Sequence, residues 1–559
     1  MPAAPEPGRN VQVNPKWRPA CGRFRLQLLC LPLISTKGSG FDVILISGEP
    51  YADHPLSGVG VIARVLEAKG YRVGVIGRPD WKKEADFRRL GRPRLFFGIT
   101  SGSIDSMLVN YTALKRSRVR DPNAPYRSGS PDRAVLVYSN MMRRLFPGVP
   151  IVLGGVEASL RRFAHYDYWE DRIRRGILLD SRADILVYGP GELQVLEVAS
   201  RLAEGGALDD IAGTCVVRSE LPPGFKELPS FEEVIASHEK FCEAQNLFSI
   251  RRALGQRHAE RWVLQHPAAD YTAEDLDWIY GLPFSRNIPA DYPELEMGRF
   301  SIVTHRGCVG RCSFCALTLL QGDRIVSRSE ESVLEEVKRI TRHPEFKGYV
   351  DDLGGPTANM FGMDCPRRES CRREDCLSCP KLDRSHSRLI RLMRNVRKVP
   401  GLKRAFVRSG IRYDLALESP EYIQELAGHH VSGLLKIAPE HISPRVLRLM
   451  NKGGGKGALG KFRRLFQKAS GSRKQHLKYY FMVAHPGTSD KEARELAQEI
   501  RRLEAGGEKP VEGIQIFTPT PMTRSACMYW TGLEPTTGEP VYVPRTHEEK
   551  KRQKKVLLK

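Results

Sequence analysis

Cys308, Cys312 and Cys315 lie in the run Thr304-His305-Arg306-Gly307-Cys308-Val309-Gly310-Arg311-Cys312-Ser313-Phe314-Cys315. Three residues separate the first pair, two the second, and an aromatic ring precedes the third thiol. Three thiolates this close can hold three irons of a [4Fe-4S] cluster and leave the fourth iron open. An open iron can chelate the amino and carboxylate groups of S-adenosylmethionine and pass an electron to its sulfonium. The product is a 5′-deoxyadenosyl radical, chemistry that the cofactor and not the protein supplies. The competing reading is a zinc knuckle. Structural zinc is normally closed by four ligands, so a compact triple suits it less well.

A second set follows at Cys365, Cys371, Cys376 and Cys379. It lies in a charged insertion, residues 363–384, with few apolar residues to build a core. Four thiols there point to a bound metal whose binding energy supplies fold energy. A structural zinc site and an auxiliary iron–sulfur cluster are both open readings. His386 is a spare ligand candidate, with an ordinary surface histidine as the alternative.

The elements that must position these thiols are strands alternating with helices. Short apolar runs at 42–48, 72–76, 95–98, 150–155 and 183–189, with a helical stretch at 58–69, predict an open α/β sheet. Ligands in such sheets bind at the carboxyl ends of the strands. Residues 216–295 read as a linker with helices, one of them around 248–263. A second series begins at Phe300, with strand-like runs at 300–304, 348–353, 405–409, 433–437, 479–483 and 513–517. Helical patterns at 332–341 and 385–399 fall between them. Six strands with crossover helices predict a partial barrel, and the cysteine triple follows its first strand on the carboxyl-terminal face. The expected organisation is an arm over 1–40, a Rossmann-like domain over 41–215, the linker over 216–295, the barrel over 296–520 and a basic tail over 521–559. The tail from Arg545 reads as a solvated helix or a disordered end.

The chain has 559 residues, too many for one core. Its 41% hydrophobic content is ordinary for a globular protein, and no apolar stretch is long enough to span a bilayer. The run Leu26 to Ile34 is short and broken by Pro32, so the reading is cytoplasmic. In that compartment the 12 cysteines are ligands or free thiols rather than disulfides. The formal net charge of +23 favours an anionic partner, nucleic acid first, although Arg-rich helix faces alone give a similar excess.

Longer motifs narrow the reading. They are Tyr51-Ala52-Asp53-His54-Pro55 with Pro79-Asp80-Trp81, the run Gly155 to Arg162, Ala164 to Trp169, Asp352 to Met360, Leu435 to His441, and Ala484 to Thr488. With the cysteine triple and the strand order, they resemble the YgiQ (UPF0313-type) family of radical SAM proteins over roughly residues 41–545. The resemblance implies a [4Fe-4S] cluster on Cys308, Cys312 and Cys315, S-adenosylmethionine as cosubstrate, and an electron donor such as flavodoxin or ferredoxin. It also implies that Gly354 and Gly355 meet the amino group of S-adenosylmethionine through the backbone. Pro356 stands where an acidic residue is usual, and a plain glycine turn at a strand end is the alternative. Arg408 or Arg412 can present a fork to a carboxylate. Lys436, Glu440 and His441 end the fourth barrel strand, where Glu440 or His441 can contact ribose or move a proton. His485 follows the fifth strand, and Gln515 and Thr518 to Thr520 the sixth. The cofactor-binding set is thus Gly354, Gly355, Arg408 and Glu440.

The first sheet is similar to cobalamin-binding domains, but their Asp-x-His-x-x-Gly signature is incomplete. Ala52 replaces the acid before His54, and Gly58 comes one place late. The family resemblance further implies a longer basic C-terminal region and a different start. Three functions stay open: radical modification of RNA, suggested by charge and by Thr518-Pro519-Thr520-Pro521; cobalamin-assisted radical methylation of a small molecule; and a non-enzymatic iron–sulfur binding protein.

Overall fold

A computed structural model of the chain describes residues 34–118, 129–367, 371, 375–505 and 511–558. Most of the expected N-terminal arm lies outside the described residues. The chain divides into two units, with the boundary between residues 296 and 297.

In the first unit the apolar runs become parallel strands: β1 (Val43–Ser47), β2 (Val73–Gly77), β3 (Phe96–Thr100), β4 (Ile151–Leu153) and β5 (Ile185–Val187). Every residue of β1 is buried, as a strand covered on both faces requires. Helix α1 (Gly58–Glu67) returns the chain from β1 to β2, its start fixed by the Ser57 side chain accepting from Gly60 N–H. The order β2-β1-β3-β4-β5 is that of a flavodoxin-like sheet, whose ligand crevice lies between β1 and β3.

The sheet does not stop there. Strands β6 (Thr214–Arg218), β7 (Lys226–Leu228), β8 (Leu254–His258) and β9 (Arg261–Gln265) extend it to nine in the order β5-β6-β9-β8-β7. The expected helix around 248–263 is therefore a β-hairpin, and the expected linker supplies an integral sheet edge. The strands were disguised by buried polar residues. Gln265 donates to the carbonyls of Ser249 (2.9 Å) and Arg252 (3.0 Å), and Gln256 accepts from Ala164 N–H (2.7 Å). A buried glutamine with its bonds made is stable in a strand, yet it breaks the apolar pattern by which strands are read.

The second unit holds the barrel strands β10 (Ile302–Val303), β11 (Tyr349–Val350), β12 (Leu353–Gly354), β13 (Arg404–Ala405), β14 (Leu434–Glu440), β15 (His476–Val483) and β16 (Val511–Ile516). The pairs β10–β12, β11–β13, β14–β15 and β15–β16 are all parallel. A parallel bridge between Ile411 and Ile437 joins the third position to the fourth. The result is the expected partial barrel, with β11 and β12 sharing the second position. Helices α2 (Glu330–Ile340), α3 (Ser387–Val396), α4 (Lys456–Ser470) and α5 (Asp490–Ala505) cover its outside. Along α3 the buried residues Leu389, Leu392, Met393 and Val396 recur at helical spacing. Each contributes roughly 1.5–3 kcal/mol by burial, and this stripe holds the helix on the barrel.

The basic tail is also packed. Helix α6 (His547–Leu557) opens with a capping box between Thr546 and Glu549. Its Gln553 accepts from Ala484 N–H (2.8 Å) and donates to Thr488 O (2.7 Å), and Lys550 donates to the Tyr529 hydroxyl (2.8 Å). Of the two expected readings, a solvated helix or a disordered end, the structure shows a helix, with Lys550, Gln553 and Leu557 buried and the fifth strand's end bonded to Gln553. Among the described residues no helix is long and apolar enough to cross a membrane.

Candidate functional site

The loop that carries the first three cysteines leaves β10 through Gly307, whose φ of +87° favours glycine. An added Cβ there would also collide with the Arg324 carbonyl. Cys308 N–H donates to Gly322 O (3.0 Å), and Cys315 N–H donates to Cys312 O (3.0 Å), closing a turn around the second and third thiols. Remote segments brace that turn. Ser313 N–H donates to Met450 O (2.8 Å), Ser525 N–H donates to Ser313 O (2.9 Å), and Asn451 donates to Arg311 O (2.8 Å). Phe314 meets the edge of His485 (6.2 Å), and His485 in turn accepts from the Ser525 hydroxyl (2.7 Å).

The thiols are shielded. Cys308 is buried beside the Thr357 hydroxyl (3.6 Å). Burial pushes the Cys312 thiol up and the Cys315 thiol up to about 12, against the pull of the Lys452 charge nearby. The Arg412 guanidinium approaches Cys312 Sγ (3.8 Å) while its Nε donates to Asp414 (3.1 Å). As free thiols Cys312 and Cys315 stay protonated at neutral pH. A cluster binds them as thiolates, and the adjacent Arg412 and Lys452 offset part of that negative charge. Among the described residues no three His, Cys, Asp or Glu side chains converge closely enough to hold a single ion. A four-iron cube takes each thiolate at a different iron, so its ligands need no common point. One buried and two half-buried cysteines on a braced loop with cations beside them fit such a group.

Gly354 ends β12, and Gly355 follows it. A Cβ on Gly355 would lie 2.5 Å from the His305 ring, and one on Gly354 would strike the Ser409 hydroxyl. The pair therefore has a packing reason as well as a ligand reason. His305 is fully buried and donates to Thr357 O (3.1 Å), and burial lowers its pKa to about 4. Asp352 accepts from the backbone N–H groups of Arg408 (2.7 Å) and Ser409 (3.0 Å), which ties the second strand's end to the third's.

The two candidate arginines separate. Arg408 has a side chain 47% exposed, a loose pairing with Asp351 (3.8 Å) and a seat over Phe406 (5.6 Å). Arg412 has a side chain only 4% exposed and lies beside Cys312. Glu440 ends β14 with a φ of +64°, 9% exposed, and burial raises its carboxyl pKa while Lys452 opposes the shift. Arg311 in the cysteine loop and Ala484 after β15 share that rare conformation, with φ of 45° and 60°. Such strain gathers where a fold is held to a functional geometry. His441 accepts from Ser443 N–H (3.0 Å) and has its other ring nitrogen unbonded among the described residues. Lys436 and Gln515 are exposed. Sequence reasoning missed Lys452, Ser525 and Thr357, which reach the loop from distant segments and carry no spacing signal.

The second set builds a similar turn, with Cys379 N–H donating to Cys376 O (3.1 Å). Arg324 donates to Cys371 O (3.1 Å) and Arg384 to Cys379 O (3.3 Å). The insertion has more core than its composition suggests. Cys376, Leu377 and Leu382 pack on a buried cluster of Cys308, Val309, Ile325, Met360, Met363 and Leu415. His386 is not a surface histidine. It is buried, donates to Arg384 O (2.8 Å), accepts from Asn359 (3.2 Å) and stacks on Tyr422 (4.7 Å). In the first unit His54 is fully buried and accepts from Leu56 N–H (3.0 Å) within its own loop.

Two family profiles match the chain: "Radical SAM N-terminal" over residues 34–303 and "Radical SAM superfamily" over residues 302–500. A UPF0313 protein of Geobacter sulfurreducens is 47% identical over 92% of this chain and 89% of its own length. UPF0313 proteins of Methanocella arvoryzae (44%, covering 92% and 90%) and Methanocaldococcus jannaschii (43%, covering 92% and 89%) are similar at the same scale. Among solved structures, the radical S-adenosylmethionine methyltransferase TsrM from Kitasatospora setae, with tryptophan substrate and a SAM analogue bound, shares the fold. Its TM-score is 0.52 at 18% identity over 87% of this chain and 76% of that one. The same enzyme with cobalamin and a [4Fe-4S] cluster bound matches at a TM-score of 0.52 and 18% identity, covering 86% and 73%. Cysteine loop, barrel and relatives agree: the chain belongs to the UPF0313 family, a family of radical SAM enzymes that use a [4Fe-4S] cluster and S-adenosylmethionine.

Proposed function

We propose that Cys308, Cys312 and Cys315 are the cluster ligands, and that the enzyme uses the resulting radical chemistry to modify RNA. The observation that carries the ligand assignment is the three-sulfur loop at the barrel mouth, braced by backbone bonds from Gly322, Met450 and Ser525. When bound, the cluster supplies the electron that cleaves S-adenosylmethionine reductively. The chain's own contribution is position and charge. Gly354 and Gly355 leave the second strand's end without side chains, so backbone can approach the methionyl group. Arg412 offsets thiolate charge beside Cys312. Arg408, partly exposed at the third strand's end, is free to swing toward a carboxylate. Glu440, its carboxyl pKa raised by burial, is suited to hold a proton or contact ribose. An external reductant such as flavodoxin or ferredoxin supplies the electron.

RNA as substrate is supported by the net charge of +23 and by the lysines of α6. Binding should fall steeply with added salt. A second reading, cobalamin-assisted methylation of a small molecule, is favoured by the flavodoxin-like strand order of the first unit. A corrinoid would there bind without His54, which is buried in its own loop. Corrinoid absorbance in protein isolated from cobalamin-fed cells distinguishes the two. We assign the second cysteine set to an auxiliary iron–sulfur cluster or a zinc ion; among the described residues no three of these thiols converge on one point, so a zinc ion would have to draw them together. The deciding experiment is anaerobic reconstitution, reduction and addition of S-adenosylmethionine, with 5′-deoxyadenosine read by mass spectrometry and iron and zinc counted. Absence of iron after reconstitution would overturn the assignment.

A further inference from the structure

One side of the barrel sheet is committed to the core. Val350, Ala405, Leu435, Ile437 and Leu477 share that core with Leu392 of α3 and Phe462 of α4. Side chains alternate along a strand, so the residues between them face the other way, into the barrel. Strand pairing aligns these inward residues: Tyr349 with Arg404 across β11 and β13, and Lys436 with Lys478 across β14 and β15. Ile411 pairs with Ile437, both in the core, which keeps the same alternation from the third position to the fourth. In a closed barrel the inward positions are filled by layers of branched apolar side chains. Here they are aromatic and basic, and they are open. Tyr349 is 43% exposed, Arg404 and Lys436 are exposed, and Lys478 and Tyr480 are half-buried.

Two features set this face apart from a plain solvated surface. The first is its rings. Tyr349 lies parallel to Phe406 (6.0 Å), and the Lys403 ammonium stands 5.7 Å from its ring. Tyr480 packs against Gly513 of β16, where an added Cβ would meet its ring at 2.5 Å. Aromatic surface left in water is unfavourable, and a ligand that stacks on it removes that surface from water.

The second feature is the lysine pair. Neighbouring strands lie about 4.8 Å apart, so Lys436 and Lys478 stand side by side with like charge. Lys478 holds its proton less tightly than a free lysine, through partial burial first and the Lys436 charge second. An anion between them relieves that repulsion. Asp351, two places after Tyr349 on this face, is committed elsewhere: it accepts from Phe300 N–H (3.0 Å) and lies 3.8 Å from Arg408.

Flat rings interleaved with cations on an open sheet suit an unpaired nucleic acid. Its bases stack on aromatic faces while its phosphates meet lysine and arginine. An acidic protein would engage the cations and leave the rings idle, and a duplex would offer phosphates but keep its bases stacked inside. We propose, on the reading that RNA is the substrate, that the inner face of the barrel sheet binds an unpaired stretch of RNA, with bases on Tyr349 and Tyr480 and phosphates on Arg404, Lys436 and Lys478. Lys436 and Glu440 lie on the same strand, about 13 Å apart along it, so a strand held here leads to the barrel mouth.

Fluorescence anisotropy of the reconstituted full chain with labelled oligouridine, and with the same strand paired to its complement, is the experiment. It needs neither reductant nor S-adenosylmethionine. The expected result is saturable binding of the single strand, at least about tenfold tighter than of the duplex. Tyr349→Ala and Tyr480→Ala should each weaken that binding about tenfold, because a base loses its stacking surface. Lys436→Gln should weaken it and lower the slope of log affinity on log salt by about 0.7, with Lys436→Arg restoring both. Circular dichroism spectra of the variants should match the wild type. Oligothymidine DNA held more tightly than the RNA would assign the face to DNA and overturn the proposal. A duplex held as tightly as the single strand, or folded Tyr349→Ala, Tyr480→Ala and Lys436→Gln all binding like the wild type, would overturn it while leaving RNA as the substrate. No binding of either RNA form would remove both.

Discussion

The two cysteine sets share a motif and differ in what holds it. In each, the thiols of a C-x-x-C pair flank a turn closed by the same backbone bond, Cys315 to Cys312 at 3.0 Å and Cys379 to Cys376 at 3.1 Å. The first turn is then gripped by backbone from residues 450 and 525 and shielded by Phe314 and His485. The second hangs on arginine side chains reaching its carbonyls and on a small apolar contact through Cys376 and Leu377. The difference teaches where fold energy comes from. The barrel holds the first loop in place before any cofactor arrives. The second is a polar insertion with little of its own core, which a metal would complete.

The sharpest way to break the comparison is to remove one thiol of the first set. Cys312→Ala should lower 5′-deoxyadenosine below detection after anaerobic reconstitution, and activity retained in that variant would sink the ligand assignment. Next in size is the buried ion pair that backs the loop. Arg412→Gln strands Asp414 in the interior and should cost about 3–5 kcal/mol in chemical denaturation, whereas Arg408→Gln should cost under about 1 kcal/mol at its exposed site. Gly355→Ala drives a methyl into the His305 ring and should cost about 1–3 kcal/mol, with cluster loading reduced in the folded fraction.

Acid should attack the frames of both sets alike. His305 under the first and His386 under the second are buried, and burial lowers each pKa to about 4. The unfolded chain binds those protons first, so stability is full above about pH 6.5 and falls as pH drops toward the folded values. Each histidine adds a slope of up to about 1.4 kcal/mol per pH unit across that window. Denaturation midpoints flat from pH 7 to 4.5 would remove this account. The smallest effect belongs to the insertion. Cys379→Ser should remove one metal site from the count and raise protease sensitivity of residues 363–384, while 5′-deoxyadenosine formation keeps the larger part of its rate. Equal loss in Cys379→Ser and Cys312→Ala would mean that the two sets act as one centre.

The parallel strands were legible because burial on both faces writes continuous apolar runs, as in Val43 to Ser47. The hairpin of Leu254 to Gln265 was not, because its buried glutamines are satisfied by partners far along the chain. The tail's helix was one of the expected readings, but its anchoring was hidden for a related reason. Its lysines advertise solvent, while Gln553 and Lys550 find buried bonds on the fifth strand's end and on Tyr529.

By itself the sequence determined what is covalently local: the spacing of Cys308, Cys312 and Cys315, the adjacent glycines, and the alternation of strand and helix that makes a barrel. Thiolates three and four positions apart can share one cluster wherever the loop sits, so spacing suffices. Tertiary structure alone decided which arginine stands beside Cys312, that Ser525 and Met450 grip its loop, and that His386 is interior. Those neighbours lie tens to hundreds of residues apart, and only packing selects among the many polar side chains that could have met.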